Sequence, residues 1–235
     1  MIHFGKLPLD GTPRIAVPFR DGNDAAFIES AVADGADIAE LRIDQFSRHD
    51  SEHVLAEIAK YQALPVLATI RSADEGGKWP ESDAARLALY RAILPHVQAI
   101  DVELFSTAIV WSVIEAAREH KKPVILSFHD FTSTPAREDL DAIAARARDA
   151  GADIVKVAAM CNNQEDVRRL TAFTLDHVRD GVVAIGMGPM GVSTRILFPA
   201  LGSLFTFAAY GEGTAPGQWQ LEELSALFAR LYPRG

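Results

Sequence analysis

The sequence holds one cysteine, Cys161, among 235 residues. An intramolecular disulfide is therefore excluded, and so is a metal site built from cysteines. Apolar residues are plentiful, yet no apolar run nears the roughly 20 residues that cross a bilayer. The first six residues carry neither the basic start nor the apolar stretch of a secretory signal, so a cytoplasmic protein is expected. Positive charge is scarce: 23 Lys and Arg stand against 32 Asp and Glu, a net charge of −9. That balance disfavours non-specific binding to nucleic acid or to an anionic membrane. An anionic small molecule stays allowed, because a few arginines set the sign of one pocket.

What is present is a repeating pattern. Short β-rich runs recur at residues 14–19, 37–44, 65–71, 99–104, 123–129, 153–158, 181–187 and 204–210. Alanine-rich stretches with helical spacing lie between them; Leu140, Ile143, Ala144 and Ala147 share one such face. Strands alternating with helices predict a parallel sheet, and this number of strands closes one into a (β/α)8 TIM barrel. No linker or low-complexity segment interrupts the series, so a single domain over residues 1–235 is expected. The rival architecture is an open doubly wound sheet. Before the first strand, Asp10-Gly11 is a turn signal, and an N-terminal hairpin closing the barrel floor is expected there.

Parallel strands covered by helices ordinarily read as continuous apolar runs. Here Glu40, Arg42 and Asp44 alternate along the second run and are expected on one face, and Arg71 ends the third. Asp101 and Glu103 occupy the fourth run, Ser127 and His129 close the fifth, and Lys156 lies within the sixth. Charged side chains are seldom buried unless paired or functional. A barrel gathers its active site at the C-terminal ends of its strands, so these groups converge on one volume. The bland alternative is a set of salt bridges lining the barrel.

A lysine amine is a weak nucleophile while protonated. Burial and the like charges of Arg42, Arg71 and Arg195 are expected to favour a neutral Lys156, which can condense with a ketone or aldehyde. The protonated imine acidifies neighbouring C–H bonds, and His129, one strand away, is placed to take the proton. Glu75 is a candidate to orient that imidazole. The other histidines, His3, His49, His53, His96, His120 and His177, read as surface or helix-end residues. Glu40, Asp44, Asp101 and Glu103 offer oxygen ligands, but cations share their strands; no metal or other cofactor is expected, and activity should survive a chelator. Gly186-Met187-Gly188-Pro189-Met190-Gly191 has the G-x-G-x-x-G spacing of a dinucleotide fingerprint. It follows the seventh run rather than the first, and it suits a phosphate or carboxylate held with Arg195.

These residues together resemble the type I 3-dehydroquinate dehydratases. Glu40-Leu41-Arg42-Ile43-Asp44 resembles that family's E-L-R-x-D strand, and Thr69-Ile70-Arg71-Ser72 with Glu75-Gly76-Gly77 its T-x-R…E-G-G segment. Ser127-Phe128-His129-Asp130-Phe131 is similar to S-x-H-D-F, and Asp153-Ile154-Val155-Lys156 to D-x-x-K. Met187-Gly188…Gly191…Arg195 resembles M-G-x-x-G-x-x-S-R, and Ala215-Pro216-Gly217-Gln218 resembles the A-P-G-Q that closes over substrate. The order matches along the chain.

The resemblance implies dehydration of 3-dehydroquinate to 3-dehydroshikimate through an imine on Lys156, with His129 as acid and base and Glu75 paired to it. It implies Arg195 on the substrate carboxylate, Gln218 as a lid contact, and Glu40, Arg42 and Arg71 around the ring hydroxyls. Thr214, Met187 and Phe207 are further substrate-binding positions in this reading. It suggests a homodimer, and the same dehydration serves aromatic biosynthesis or quinate breakdown. Thr194 and Thr214 stand where the family usually has serine, and Ile185 where methionine is expected; affinity and lid motion are the properties these touch. Residues 211–218 read as a gating lid. Two rivals remain: a Schiff-base aldolase acting on a phosphorylated sugar, and a barrel that binds a metabolite without turnover.

Overall fold

The apolar runs become strands and the alanine-rich stretches become helices, alternating through most of the chain. The computed structural model describes residues 1–9, 12–211 and 217–232. After β1 (Ile2–Phe4) and β2 (Leu7–Leu9) come β3 (Arg14–Phe19), α1 (Ala25–Ala33), β4 (Ile38–Arg42) and α2 (Ser51–Ile58). Next are β5 (Val66–Thr69), α3 (Asp83–Ile93), β6 (Ala99–Glu103), α4 (Val110–Glu119), β7 (Val124–Asp130) and α5 (Arg137–Asp149). The chain continues through β8 (Ile154–Met160), α6 (Gln164–His177), β9 (Val182–Met187), α7 (Gly188–Gly191) and α8 (Thr194–Ala200). It ends with β10 (Phe205–Ala209), the two-residue β11 (Trp219–Gln220) and α9 (Leu221–Leu231).

The strands pair in parallel in the order β11-β10-β3-β4-β5-β6-β7-β8-β9. The sheet curls into a TIM barrel that closes between β9 and β10, where the Leu204 N–H donates to the Val182 carbonyl at 2.9 Å. Helix starts are capped by side chains: Asp24, Asp50, Ser82 and Asn163 each accept from a backbone N–H in the first turn. Such a cap is worth about 1 kcal/mol.

Side-chain alternation divides each strand between two environments. Outward residues such as Val17, Leu41, Ala68, Val102, Leu126 and Val157 pack against the helices. Inward residues are apolar at the floor and polar at the mouth. Ala16, Ile38, Leu67, Ala99, Ile125, Ile154, Val183 and Phe205 make the floor layer, and the hairpin supplies Phe4 and Leu9 to it. Phe4 meets Phe205 edge-on with ring centroids 6.0 Å apart.

The floor hairpin is present, but its turn differs from the one expected. Phe4 pairs with Leu7, so the reversal falls on Gly5-Lys6. Gly5 has φ 60°, which the first central place of a two-residue II′ turn requires. Asp10 and Gly11 lie outside the described residues. The second predicted run is also shorter than expected. β4 stops at Arg42, and Asp44 falls in a 3-10 turn, Ile43–Gln45. The pair Arg42 Nη2–Asp44 Oδ2, at 2.9 Å, holds the chain in that bend, so Asp44 does not continue the strand face.

Candidate active site

Above the floor, the inward row carries Glu40 on β4, Thr69 on β5, Asp101 on β6, Ser127 on β7 and Lys156 on β8. All five are buried. The Lys156 amine donates to Asp101 Oδ2 at 2.9 Å and lies 3.9 Å from Glu40 Oε1. It also sits 4.6 Å from the centroid of the Phe207 ring. The charges touching the amine are therefore carboxylates, where the sequence suggested arginines. Arg71 stands one step further out: its Nη2 donates to Asp101 Oδ1 at 2.7 Å, and its Nη1 to Ser127 Oγ at 2.7 Å and Glu103 Oε1 at 2.9 Å. Burial alone would raise the Asp101 pKa, but Arg71 and Lys156 hold it well below the usual carboxylate range.

His129 ends the inward row of β7, two residues above Ser127. Its ring Nδ1 and its own backbone N–H both meet Glu75 Oε2, each at 2.9 Å. Because that oxygen already accepts from the backbone, Nδ1 is read as the protonated ring nitrogen, which leaves the Nε2 lone pair available as a base. Burial, then the charges of Arg71 and Lys156, push the imidazole well below 6.5. Burial also raises Glu75 to about 8, against the pull of Arg71. Both members of the pair are thus driven towards their neutral forms.

The sign gives a test. A histidine whose cation is disfavoured gives up its proton at lower pH, so His129 should be neutral at pH 6. Nitrogen-15 spectra of histidine-labelled protein should show the Nδ1–H tautomer there; an imidazolium signal at pH 6 contradicts the assignment.

The cavity between these groups measures about 90 Å³. Glu40, Arg42, Arg71, Glu75, His129, Lys156, Met187, Arg195, Phe207 and Gln218 all line it. Thr214 lies outside the described residues. Arg195, on α8, is buried, donates to the Phe207 carbonyl at 3.4 Å, and is lowered by that burial to about 10, so it stays cationic at neutral pH. An anion arriving there would offset the desolvation.

Gly76, Phe131, Ala158 and Ile185 line the cavity as well. Sequence reasoning gave the first three no place in the site. Phe131 stacks on His129 with 15° between the rings. Its signal was its position two residues past the histidine. Asp101 was recognised as inward-facing, but its contact with Lys156 spans two strands and depends on the barrel's stagger.

The glycine loop has a packing role. A Cβ on Gly191 would meet the Gly186 backbone at 2.3 Å, so α7 sits directly against β9. Thr194 Oγ1 accepts from the Gly186 N–H at 2.9 Å and donates to the Gly191 carbonyl at 2.6 Å, tying the loop to the start of α8 beside Arg195. Gly217 packs over the Gly188 carbonyl. The carboxylates that offered oxygen ligands face cations: Glu40 lies 3.9 Å from Lys156, and Asp44 pairs with Arg42, Asp101 with Arg71 and Lys156, and Glu103 with Arg71 and Arg86.

Three of the remaining histidines are less exposed than the sequence suggested. His53 pairs with Asp21 and His177 with Asp141, each at 2.9 Å, and His49 packs edge-on against Trp79. None of them lines the cavity.

Residues 15–233 match the model of the type I 3-dehydroquinase family. A 3-dehydroquinate dehydratase of Thermodesulfovibrio yellowstonii is 35% identical over 228 residues, covering 97% of this chain and 99% of that protein. That of Methanosarcina barkeri is 36% identical over 242 residues, covering 98% and 100%. The crystal structure of the 3-dehydroquinate dehydratase of Aquifex aeolicus superposes with a TM-score of 0.84 at 32% identity, covering 94% of this chain and all of that one. A type I enzyme of Clostridium difficile, solved with covalently modified comenic acid, gives 0.84 at 30% identity over 95% and 93%. With most of its length matched by the family model and by relatives of this similarity, the chain belongs to the type I 3-dehydroquinase family.

Proposed function

We propose that this chain dehydrates 3-dehydroquinate to 3-dehydroshikimate, the shikimate-pathway step, as a hydro-lyase acting through an imine on Lys156. The observation that carries the reading is a buried amine and an imidazole paired through Nδ1 to Glu75, on adjacent strands and facing one cavity. The Lys156 amine adds to the substrate ketone, and loss of water leaves a protonated imine. His129 Nε2 takes the proton from the neighbouring carbon, and the C–H electrons move into the imine to give an enamine. Those electrons then expel the β-hydroxyl, which takes the proton back from His129 and leaves as water. A second water hydrolyses the imine, releasing the enone and restoring the amine.

The other assignments follow from charge and place. Arg195 takes the substrate carboxylate, as a buried guanidinium of the cavity wall. Glu40, Arg42 and Arg71 meet the ring hydroxyls, with Met187 and Phe207 as apolar walls. Glu75 holds the His129 tautomer and partners its cation as it forms. Thr214 and Gln218 act from the lid, which excludes water while the imine exists. The whole chain is read as one catalytic domain. A cytoplasmic homodimer fits the acidic composition and the family resemblance, and among the described residues no helix is long and apolar enough to cross a membrane. Membership of this family sets aside the aldolase reading.

The test is direct. Incubation with 3-dehydroquinate should raise the ultraviolet absorbance of a conjugated enone at a rate proportional to enzyme; a flat trace removes the proposal. For the lid, Gln218→Ala should raise KM about tenfold, the order expected for one lost polar contact to a charged or polar ligand group. Unchanged steady-state constants would take Gln218 out of the account.

A further inference from the structure

We propose that Arg86, on the outer face of the barrel wall, is a positioning residue for this reaction: by neutralising Glu103 from behind, it sets the charge that Arg71 and Asp101 present to Lys156. The proposal rests on the catalytic assignment above.

Arg86 lies on α3 with Leu89, Tyr90 and Ile93, the buried face at helical spacing. It is fully buried and does not line the substrate cavity, so any effect on the reaction passes through other residues. A guanidinium in the helix–sheet layer is costly to desolvate unless its donors are matched. They are matched by the barrel wall. Nε donates to the Ile70 carbonyl at the end of β5 at 2.7 Å, Nη1 donates to Ser106 Oγ after β6 at 3.0 Å, and Nη2 donates to Glu103 Oε2.

The second oxygen of Glu103 faces the site. Oε1 accepts from Arg71 Nη1 and from the Ser72 N–H, both at 2.9 Å. A chain of alternating charge therefore crosses the wall: Arg86, Glu103, Arg71, Asp101, Lys156. Ser72 also caps the 3-10 turn Ala73–Glu75, so the same carboxylate steadies the segment that carries Glu75.

The surrounding groups leave Glu103 dependent on its two arginines. Ser106 Oγ donates to Glu103 Oε2 at 2.7 Å without adding charge. Asp83 lies 3.9 Å from Arg86, and the Tyr90 ring 5.9 Å from its guanidinium. From β7, Ser127 meets Arg71, and from β6 Asp101 pairs with the same guanidinium. Without Arg86, one carboxylate charge is left to Arg71 alone. The site then gains net negative charge beside a nucleophile and a base that must both be uncharged to act.

The experiment is the pH profile of kcat/KM for Arg86→Met, Arg86→Lys, Glu103→Gln and the double variant Arg86→Met/Glu103→Gln. In Arg86→Met the acid limb should move up by about one pH unit, so that kcat/KM falls about tenfold at pH values on that limb and recovers towards the value of the unsubstituted enzyme at higher pH. Arg86→Lys keeps the charge and should return the limb close to that of the unsubstituted enzyme. Glu103→Gln should move it down, and the double variant should restore it. If Arg86→Met does not fold, the charge-balanced double variant compared with Glu103→Gln carries the same test. A loss of equal size at every pH, shared by Arg86→Met and Arg86→Lys with an unmoved limb, overturns the proposal. Borohydride labelling of the unsubstituted enzyme separates the two levels. No adduct on Lys156 sinks the catalytic assignment, whereas an adduct with an unmoved limb sinks only the role of Arg86.

Discussion

Lys156→Met is expected to lower kcat by about 10⁴-fold or more, the scale on which removing a covalent nucleophile acts. Lys156 is the one amine among the described residues lining the cavity, so no neighbour can replace it. Methionine keeps the length and much of the volume of the side chain while removing the nucleophile. The fold should survive, because Asp101 retains Arg71 at 2.7 Å and Ser127 at 2.6 Å after the ammonium is gone. Two readings therefore separate: thermal unfolding stays close to that of the parent while turnover disappears. Activity within tenfold of the parent would mean that the reaction does not pass through this amine.

His129→Ala is expected to lower kcat by about 10³-fold, within the range for loss of a general acid–base group. Unlike the lysine variant, it should still form the imine, because condensation needs the amine and the ketone rather than the imidazole. The predicted signature is a trapped adduct with slow turnover. Proton abstraction becomes rate-limiting, so deuterium at the abstracted position should slow the variant more than the parent. Loss of both turnover and adduct would give His129 a part in imine formation as well. Truncation also removes the ring that stacks on Phe131 and pairs with Glu75, so Glu75→Gln is the companion variant. It keeps the contact while removing the carboxyl's capacity to ionise as the imidazolium forms, and a smaller loss is expected from it.

Much of the fold was legible because each strand has to satisfy two environments. Outward positions are apolar to meet the helices, and inward positions change from apolar to polar as each strand rises. This is why Glu40, Asp101, Ser127 and Lys156 stood out in otherwise apolar runs. What did not show was geometry that depends on local competition or on neighbouring strands. Asp44 kept the alternation of a strand, but its pairing with Arg42 bends the chain into a 3-10 turn. The nearest charges around Lys156 come from Asp101 and Glu40, and only the stagger between strands reveals that they precede the arginines. His53 and His177 look like helix-surface residues until Asp21 and Asp141 arrive from elsewhere in the chain. Arg86 carries a readable sign in the sequence: it falls at the i position of a face continued by Leu89, Tyr90 and Ile93.

The central claim is that Lys156 forms the covalent link to substrate, and one measurement reaches it without relying on a rate. The protein is incubated with 3-dehydroquinate, reduced with borohydride, weighed intact and mapped by peptide digestion. The account predicts a single stable adduct on Lys156, absent from Lys156→Met. An adduct on another residue, or turnover with no adduct at all, would contradict it.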